Sequence, residues 1–309
     1  MSAVPCVKLN SGALVPALAF GTATRHWQKP CAQHILAALK AGFRHIDTAE
    51  LYNNQSSVGE ALAQWEGGKR EDIYITTKCS WGKLDKTVPN DPRAALLGAL
   101  KEMNIDYVDL YLIHDPADTQ PHTPTEAWAI MEQLRSEGLC KDIGVSNFGA
   151  KQLEQLSESW KVVPAVNQIE LSPHCAHDPR TQAIISTCKA HNIALMPFSA
   201  LTPIWVKPDE GYNPFSETPG VGYEVEARPL DLALEKIGRN KRMTESQVLL
   251  AWSWQMFGGP IATTSDKSWR MEEYIKTFDH APLSAEELAL ITEVGKQKYY
   301  RRYPEQCHD

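Results

Sequence analysis

Residues 45–60, HIDTAELYNNQSSVGE, determine how the rest of this chain is interpreted. A short apolar run leads to Asp47, Tyr52 follows five residues later, and an amphipathic helix is predicted from Ser56 onward. A carboxylate at the end of a strand and a phenol on the next loop are suited to proton transfer. Taken singly, however, Asp47 is typical of a turn or a helix cap, and Tyr52 is typical of a packing residue.

Two further strand-like runs place polar residues at the same structural position. Residues 73–77, IYITT, lead to Lys78, and residues 108–113, VDLYLI, lead to His114. Three successive strands therefore deliver an acid, an ammonium and an imidazole at their carboxyl ends, with Tyr52 on the first loop. This repetition favours one shared site over three unrelated residues.

The alternation of strands and helices predicts the fold class. Short and nearly all apolar strands that alternate with helices belong to a parallel sheet covered on its outer face. Eight such units in 309 residues predict a single domain, residues 1–309, folded as an α/β (β/α)8 TIM barrel with its active site at the carboxyl ends of the strands. No G-x-G-x-x-G supports a Rossmann fold. The eight strand runs are residues 17–21, 45–47, 73–77, 108–113, 143–146, 166–170, 194–198 and 261–264.

Three segments lie outside this repeat. Residues 7–15 predict an N-terminal β-hairpin, and residues 202–227, which contain several Pro and Gly, predict a long loop. The aromatic and charged tail at residues 299–303, YYRRY, is expected to lie over the active-site face. The helix before that tail begins with Ser284 and with Glu287 three residues on, which is a capping-box pattern.

Composition and charge argue against several classes of protein. A formal net charge of −7 argues against a nucleic-acid partner. No apolar run is as long as a membrane span, and the first eight residues lack the apolar run of a signal peptide, so we expect a cytoplasmic protein that does not bind membranes. Seven scattered cysteines without C-x-x-C indicate reduced thiols and no metal site. The absence of a heptad seam favours a monomer.

Several motifs together resemble those of the aldo-keto reductase superfamily, over nearly the whole chain. The blocks that carry the resemblance are residues 42–52 (GFRHIDTAELY), 58–62 (VGEAL), 100–114, 144–148 (GVSNF) and 166–173 (VNQIELSP). Residues 261–265 (IATTS), with the closing helix and tail, resemble a fungal branch that includes conjugated polyketone and α-keto amide reductases. The resemblance implies an NADPH-dependent carbonyl reductase.

The resemblance also implies a role for each residue at the strand ends. Tyr52 is expected to be the general acid that protonates the nascent alkoxide, although a phenol with a pKa near 10 is a weak acid unaided. Lys78 is expected to lower that pKa, and Asp47 to pair with Lys78. His114 is expected to hydrogen-bond the substrate carbonyl and to orient it for hydride attack from the nicotinamide.

Cofactor contacts follow from the same resemblance. Phe198 is expected to stack on the nicotinamide ring, although an inward barrel residue at this position also has a packing role. Ser199 and Leu201 are expected to contact the pyrophosphate. The nicotinamide carboxamide is expected to bind Ser146, Asn147 and Gln168.

The adenosine end departs from the family pattern. Many relatives have Pro-Lys-Ser where this chain has Thr263, Thr264 and Ser265, so the lysine that pairs with the 2′-phosphate of NADP is missing. Arg270 can still grip a phosphate and stack on adenine, and Lys267 can add charge, whereas Asp266 favours an unphosphorylated ribose. Glu273 is expected to reach the adenine amine, while Tyr274 stands where relatives often have Asn. We therefore predict NADPH as the preferred cofactor, with NADH accepted more weakly.

The substrate is less well defined by the sequence. Trp27, Trp81 and Trp205 are expected to line the mouth of the barrel and to favour an apolar or planar carbonyl compound, but aromatic loop residues equally serve packing. The fungal resemblance implies α-dicarbonyls or ketolactones, and a plain aldose or aldehyde reductase is the alternative. A non-catalytic, nucleotide-binding regulatory barrel is a second alternative, against which the intact Asp47 and Tyr52 argue.

Overall fold

Eight parallel strands close into a barrel in the computed structural model, which describes residues 4–80, 91–205 and 229–304. The strands pair in sequence order, and the last one closes the barrel against the first. This topology confirms the predicted (β/α)8 barrel. The barrel strands are β3 (Leu18–Gly21), β4 (His45–Asp47), β5 (Tyr74–Cys79), β6 (Val108–Ile113), β7 (Cys140–Ser146), β8 (Val166–Glu170), β9 (Ala194–Phe198) and β10 (Ile261–Thr263).

Helices surround this barrel and bury their apolar faces against its outer surface. A four-residue helix, α7, lies within the segment that the sequence predicts as a loop. Trp128 of α4 and Trp252 of α9 are among the largest fully buried side chains. The helices are α1 (Ala32–Ala41), α2 (Ser56–Gln64), α3 (Pro92–Met103), α4 (Pro124–Ser136), α5 (Ala150–Ser157), α6 (Pro179–Ala190), α7 (Thr202–Trp205), α8 (Pro229–Lys241), α9 (Glu245–Phe257), α10 (Ser268–Ile275) and α11 (Ala285–Gly295).

The barrel interior explains why the strands have few polar residues. Alternate side chains of a strand point to opposite faces, so one β-strand supplies both the interior and the outer core. In β6, Leu110 and Leu112 belong to the interior cluster, whereas Tyr111 and Ile113 pack with the helices. All six residues of β6 are therefore buried. A strand buried on both faces has no need of an alternating polar pattern.

An antiparallel hairpin closes the amino-terminal end of the barrel, as predicted. It consists of β1 (Cys6–Lys8) and β2 (Leu14–Pro16), and Gly12 takes a φ of +91° in the turn. Leu9 and Val15 pack into the interior cluster. A hydrogen bond that the Ser11 hydroxyl donates to Asp142 Oδ2 at 3.0 Å joins the turn to β7.

Local sequence signals set the helix boundaries. The predicted capping box of α11 is present: Glu287 N donates to Ser284 Oγ at 3.2 Å, and Ser284 N donates to Glu287 Oε2 at 2.7 Å. Asp91 caps α3 by accepting hydrogen bonds from two backbone N–H groups. Each such cap stabilises a helix by about 1 kcal/mol. Gly42 ends α1 with a φ of +115°, in the left-handed region that favours glycine.

Candidate active site

A cavity of about 360 Å³ opens at the carboxyl ends of the barrel strands. Its position agrees with the rule that (β/α)8 barrels carry their sites at this end. Lys78 lies beneath its floor, fully buried. The predicted site residues that line the cavity are Trp27, Asp47, Tyr52, His114, Ser146, Asn147, Gln168, Phe198, Ser199, Leu201, Trp205, Thr264, Ser265 and Arg270.

Lys78 contacts both Asp47 and Tyr52. Its Nζ donates to Asp47 Oδ1 at 2.7 Å and to the carbonyl oxygen of Thr48 at 2.9 Å. The same nitrogen lies 3.3 Å from Tyr52 Oη. β4 and β5 are neighbours in the barrel, with Asp47 opposite Thr76, so the inward residue two positions further along β5 is Lys78. Strand register thus creates this cluster.

Burial controls the pKa values in the cluster. Removal from water lowers the pKa of Lys78, an effect that the Asp47 carboxylate opposes. Burial also raises the pKa of the Tyr52 phenol well above its usual value, and the negative charge of Asp47 adds to this rise. The expected lowering of the Tyr52 pKa is therefore not the net result in this structure, chiefly because the phenol is buried. The phenol keeps its proton, which a general acid requires.

His114 forms the adjoining wall of the cavity. Its Nδ1 lies 2.6 Å from the Ser80 hydroxyl, and its carbonyl oxygen accepts a hydrogen bond from Asn147 Nδ2 at 3.0 Å. Burial, and secondarily the charge of Lys78, holds the pKa of the imidazole well below its usual value. The His114 ring is therefore neutral at ordinary pH, and its centroid lies 5.5 Å from that of Tyr52.

Three polar residues predicted to bind a carboxamide lie together. The Ser146 hydroxyl donates to the carbonyl oxygen of Gln168 at 2.9 Å, and Gln168 Nε2 donates to Asp47 Oδ2 at 2.8 Å. Asn147 has a φ of +59°, which Asn tolerates better than most residues. Its amide nitrogen is used within the protein. Asn147 and Gln168 both line the cavity, and their amide nitrogens bond within the protein. Each amide oxygen can act as an acceptor, which fits the amino group of a carboxamide.

The end of β9 supplies another part of the wall. Phe198 is half-buried, packs against the interior cluster and lines the cavity, and its stacking on a nicotinamide ring stays a prediction. Ser199, the next residue, has a φ of +58°, which is strained for a residue other than glycine. The turn that follows brings Leu201 to the cavity.

A cationic and hydroxyl-bearing region lies after β10. Thr264 Oγ1 is buried and has no hydrogen-bond partner within the described ranges. The Arg270 guanidinium lies 4.1 Å from the Trp205 ring centroid and 5.0 Å from that of Trp269. A buried hydroxyl without a partner in the described ranges and a guanidinium that lines the same cavity fit an oxygen-rich anionic group such as a phosphate. The residues present therefore fit a phosphorylated dinucleotide.

Glu273 does not share this region. It is absent from the cavity wall, and its carboxylate accepts a hydrogen bond from Thr244 Oγ1 at 2.9 Å. The neighbouring Tyr274 lines the cavity instead. The expected contact of Glu273 with an adenine is therefore not supported by this geometry, because the carboxylate faces the start of α9.

Comparison with known proteins agrees with the fold and the cavity. Residues 17–296 match the Aldo/keto reductase family. The chain belongs to this family. It is therefore an oxidoreductase, and the barrel, the hairpin and the strand-end residues can be compared with those of relatives.

Similar family members come from several kingdoms. Aldo-keto reductase AKR2E4 of Bombyx mori is 31% identical over 97% of this chain and 98% of its own length. D/L-glyceraldehyde reductase of Hypocrea jecorina is 33% identical over 96% of this chain and 89% of its own length. The crystal structure of the Bombyx mori protein in complex with NADP superimposes with a TM-score of 0.78 at 29% identity, covering 95% of this chain and 94% of that one.

The residues predicted for the substrate are only partly brought together. The Trp27 ring centroid lies 5.6 Å from that of Tyr52, so Trp27 is next to the predicted general acid, Tyr52. Trp205 packs on Arg270, a predicted cofactor residue, so its substrate role stays a prediction. Trp81 lies outside the described residues, as does most of the predicted loop at 202–227.

The carboxyl-terminal tail contributes residues that the sequence analysis did not single out. Arg302 and Tyr303 line the cavity, as expected for a tail over the active-site face, and the Tyr303 ring centroid lies 5.9 Å from that of Phe198. Glu170, at the end of β8, accepts hydrogen bonds from the backbone N–H groups of both tail residues. An acid at a strand end, the same signal that identified Asp47, could have indicated Glu170.

The described residues contain neither a membrane-spanning helix nor a cluster of metal ligands. None of the helices found there is long and apolar enough to cross a membrane. Within the same ranges, no three His, Cys, Asp or Glu side chains form a group that could hold a metal ion. The cavity is also lined by residues that the sequence did not single out as site residues. They include Gly21, Ala23, Thr24, Arg25, Leu51, Ala200, Thr202, Ala262, Arg302 and Tyr303.

Proposed function

We propose that this chain is an NADPH-dependent carbonyl reductase in which Tyr52 is the general acid. The observation that carries the proposal is the position of Lys78 Nζ, 2.7 Å from Asp47 and 3.3 Å from Tyr52 Oη, under a cavity that Tyr52 and His114 both line. A protonated phenol beside a buried ion pair and a neutral imidazole is suited to proton donation to an oxygen.

Each of these residues has a defined role in the proposed reaction. When bound, NADPH supplies the hydride that reaches the carbonyl carbon. Tyr52 gives its proton to the carbonyl oxygen as negative charge develops there, so that the product is an alcohol. Lys78 stabilises the phenolate that remains, and Asp47 holds Lys78 in place. His114 donates a hydrogen bond to the same oxygen and fixes the direction of the carbonyl.

The cavity also supports the cofactor proposal. The amide oxygens of Asn147 and Gln168 would receive the carboxamide, and Arg270 with Thr264 would hold the phosphate on the ribose. Asp266, which also lines the cavity, opposes that phosphate by its charge. The complex of the Bombyx mori relative with NADP and the NADPH-dependent codeinone reductases of Papaver somniferum support NADPH. We therefore propose NADPH as the preferred cofactor and NADH as a weaker one.

For the substrate, we propose a compact α-dicarbonyl or ketolactone, as in the fungal conjugated polyketone and α-keto amide reductases. Support comes from the aromatic side chains of Trp27, Phe198 and Tyr303, which line the same cavity as Tyr52 and suit a flat, apolar compound. The alternative is an aldehyde substrate, which the names of the relatives aldehyde reductase YPR1 of Saccharomyces cerevisiae and D/L-glyceraldehyde reductase of Hypocrea jecorina favour.

The test combines cofactor binding with turnover. NADPH and NADH are titrated by fluorescence into the wild-type protein, into Tyr52→Phe and into a control, Tyr107→Phe, whose ring packs on Arg70 and Lys141. Turnover is then measured on a ketolactone, an aromatic α-diketone, an aldehyde and an aldose. We expect all three proteins to bind NADPH, and Tyr52→Phe alone to lose turnover by about 10²–10⁴-fold.

Each other outcome has a definite meaning. Tight NADPH binding without turnover of any panel compound by the wild type would overturn the reductase proposal in favour of a regulatory barrel. Faster turnover of the aldose or the aldehyde than of the α-dicarbonyls would replace the substrate class. Equal catalytic efficiency with NADH and NADPH would overturn the cofactor preference.

A further inference from the structure

Ser80 and His114 occupy equivalent positions at the ends of two adjacent strands. Ser80 follows the last residue of β5, His114 follows the last residue of β6, and those last residues, Cys79 and Ile113, are paired in the barrel. The backbone fixes both residues, since His114 N donates to the carbonyl oxygen of Cys79 at 3.1 Å and Ser80 N donates to Glu50 Oε2 at 3.1 Å. The backbone of both strands therefore positions the two side chains for the 2.6 Å contact between Ser80 Oγ and His114 Nδ1.

The direction of this hydrogen bond follows from what each group can do. A neutral imidazole carries one N–H and one acceptor nitrogen, whereas a hydroxyl can donate or accept. Ser80 is fully buried, and within the described residues its hydroxyl makes no other hydrogen bond. If His114 Nδ1 carried the proton, the Ser80 hydroxyl hydrogen would have no acceptor there, at a cost of about 1–3 kcal/mol. The hydroxyl therefore donates to Nδ1.

We propose that Ser80 is a positioning residue that holds His114 in the tautomer with its proton on Nε2, the nitrogen left to donate into the cavity. This inference rests on the proposed carbonyl reduction. A carbonyl oxygen needs a donor, and the tautomer protonated on Nδ1 would present a lone pair to it. In a neutral histidine, the hydrogen bond that one ring nitrogen makes commonly sets which of the two nitrogens carries the proton.

The choice of tautomer also separates His114 from Tyr52 in function. Both side chains face the same cavity, with ring centroids 5.5 Å apart. With Nε2 protonated, His114 offers the carbonyl oxygen a hydrogen bond without competing for the phenol proton. With Nε2 unprotonated, the imidazole would accept the Tyr52 proton and withdraw it from the substrate. Ser80 thus keeps the phenol proton available for the reaction.

Two substitutions of Ser80 distinguish this role from a structural one. Ser80→Ala removes the donor and leaves Nδ1 buried without a partner, so the alternative tautomer becomes populated. Ser80→Thr keeps a hydroxyl on the same carbon and is the rescue variant. Ser57→Ala is the matched control, because Ser57 is equally buried and its hydroxyl accepts a hydrogen bond from Cys31 N.

The decisive experiment is NMR of protein labelled with ¹⁵N-histidine, free of cofactor and substrate. The His114 signals are assigned by their loss in His114→Gln, and long-range ¹H–¹⁵N couplings identify which nitrogen is protonated. We expect the proton on Nε2 in the wild type, Ser80→Thr and Ser57→Ala, and a mixture of tautomers in Ser80→Ala. A wild-type ring protonated on Nδ1 would overturn the inference, whether or not any variant folds poorly.

Kinetics provide the second readout. Loss of one positioned donor at a reacting oxygen lowers kcat by about 10²–10³-fold, so a partial loss in Ser80→Ala is expected to lower kcat by about 10- to 100-fold. NADPH affinity should be unchanged, and Ser80→Thr should restore turnover. Unchanged kcat in Ser80→Ala with an altered tautomer would overturn the catalytic part. A wild type without turnover but protonated on Nε2 would instead count against the proposed function alone.

Discussion

Tyr303 is held in the cavity wall by Glu170, whose Oε2 accepts a hydrogen bond from Tyr303 N at 3.0 Å. The other carboxylate oxygen accepts from Arg302 N at 2.7 Å. Glu170 is almost fully buried at the end of β8, so one carboxylate fixes two successive backbone groups of the tail. The Tyr303 ring reaches Phe198 as a result. Glu170 is therefore one of the points at which the tail, and with it this part of the cavity wall, is attached to the barrel.

Replacing this acid should loosen the tail without disturbing the cofactor. In Glu170→Gln, the amide nitrogen cannot accept a hydrogen bond, and the charge is lost. Because a hydrogen bond to a charged group contributes about 1.5–3 kcal/mol, we expect KM for the carbonyl compound to rise about tenfold. Steady-state kinetics and NADPH titration are the measurements. The control is Glu293→Gln on the surface of α11, and an unchanged KM in Glu170→Gln would contradict the anchoring role.

The Lys78–Asp47 pair makes a prediction about stability as well as turnover. Lys78→Met leaves the buried Asp47 carboxylate without its partner, which should lower the free energy of unfolding by about 3–5 kcal/mol. In the double variant Asp47→Asn with Lys78→Met no charge is left unpaired, so most of that stability should return. Turnover should be absent in both variants. Urea unfolding and kinetics test this, and equal stability of the single and double variants would refute it.

Much of the fold could be predicted because its signals are local. β8 and β9 have the predicted bounds. β9 is a short apolar run, ALMPF, that ends just before Ser199, whereas β8, VNQIE, carries polar residues. β7, by contrast, begins at Cys140, three residues before the predicted start. The missed residues include Asp142, a buried acid whose partner Ser11 is 131 positions away in the sequence. Such a residue looks like part of a loop until its distant partner is known.

The candidate site divides in the same way. Asp47, Lys78 and His114 could be predicted because each occupies the same place at a strand end. The direction in which the pKa of Tyr52 shifts could not be predicted, since it depends on how deeply the phenol is buried and on how close the Asp47 charge lies. The attachment of the tail to Glu170 could not be predicted either, because it joins residues more than 130 positions apart.

Arg270 should decide between the two nicotinamide cofactors. Arg270→Met removes the guanidinium that would bind the 2′-phosphate, and a charged hydrogen bond of about 1.5–3 kcal/mol corresponds to about a 10- to 100-fold weaker NADPH affinity. NADH affinity should change by less than about threefold, since NADH lacks that phosphate. Fluorescence titration measures both, with the exposed Arg239→Met of α8 as the control. Equal losses for the two cofactors would mean that Arg270 acts by packing on Trp205.

Asp178 predicts a dependence of stability on pH. It caps α6, accepting a hydrogen bond from Arg180 N at 2.8 Å and pairing with the Arg180 guanidinium at 3.1 Å. Burial by itself would raise the pKa of Asp178, but these bonds from Arg180 outweigh it and lower the pKa from 3.8 to about 2. Because the pKa is lower in the folded state, the stabilisation is complete above the unfolded value and is lost as the pH falls through the folded value.

Asp178→Ala should therefore cost about 1 kcal/mol of unfolding free energy at pH 7, the usual contribution of a helix cap. The difference from the wild type should stay constant down to about pH 4 and should narrow between about pH 4 and pH 2. Urea unfolding of both proteins at a series of pH values measures this difference in unfolding free energy. Glu158→Ala, at the C-terminal end of the neighbouring helix α5, serves as the control. A difference that does not change with pH would show that the cap stabilises α6 without its charge.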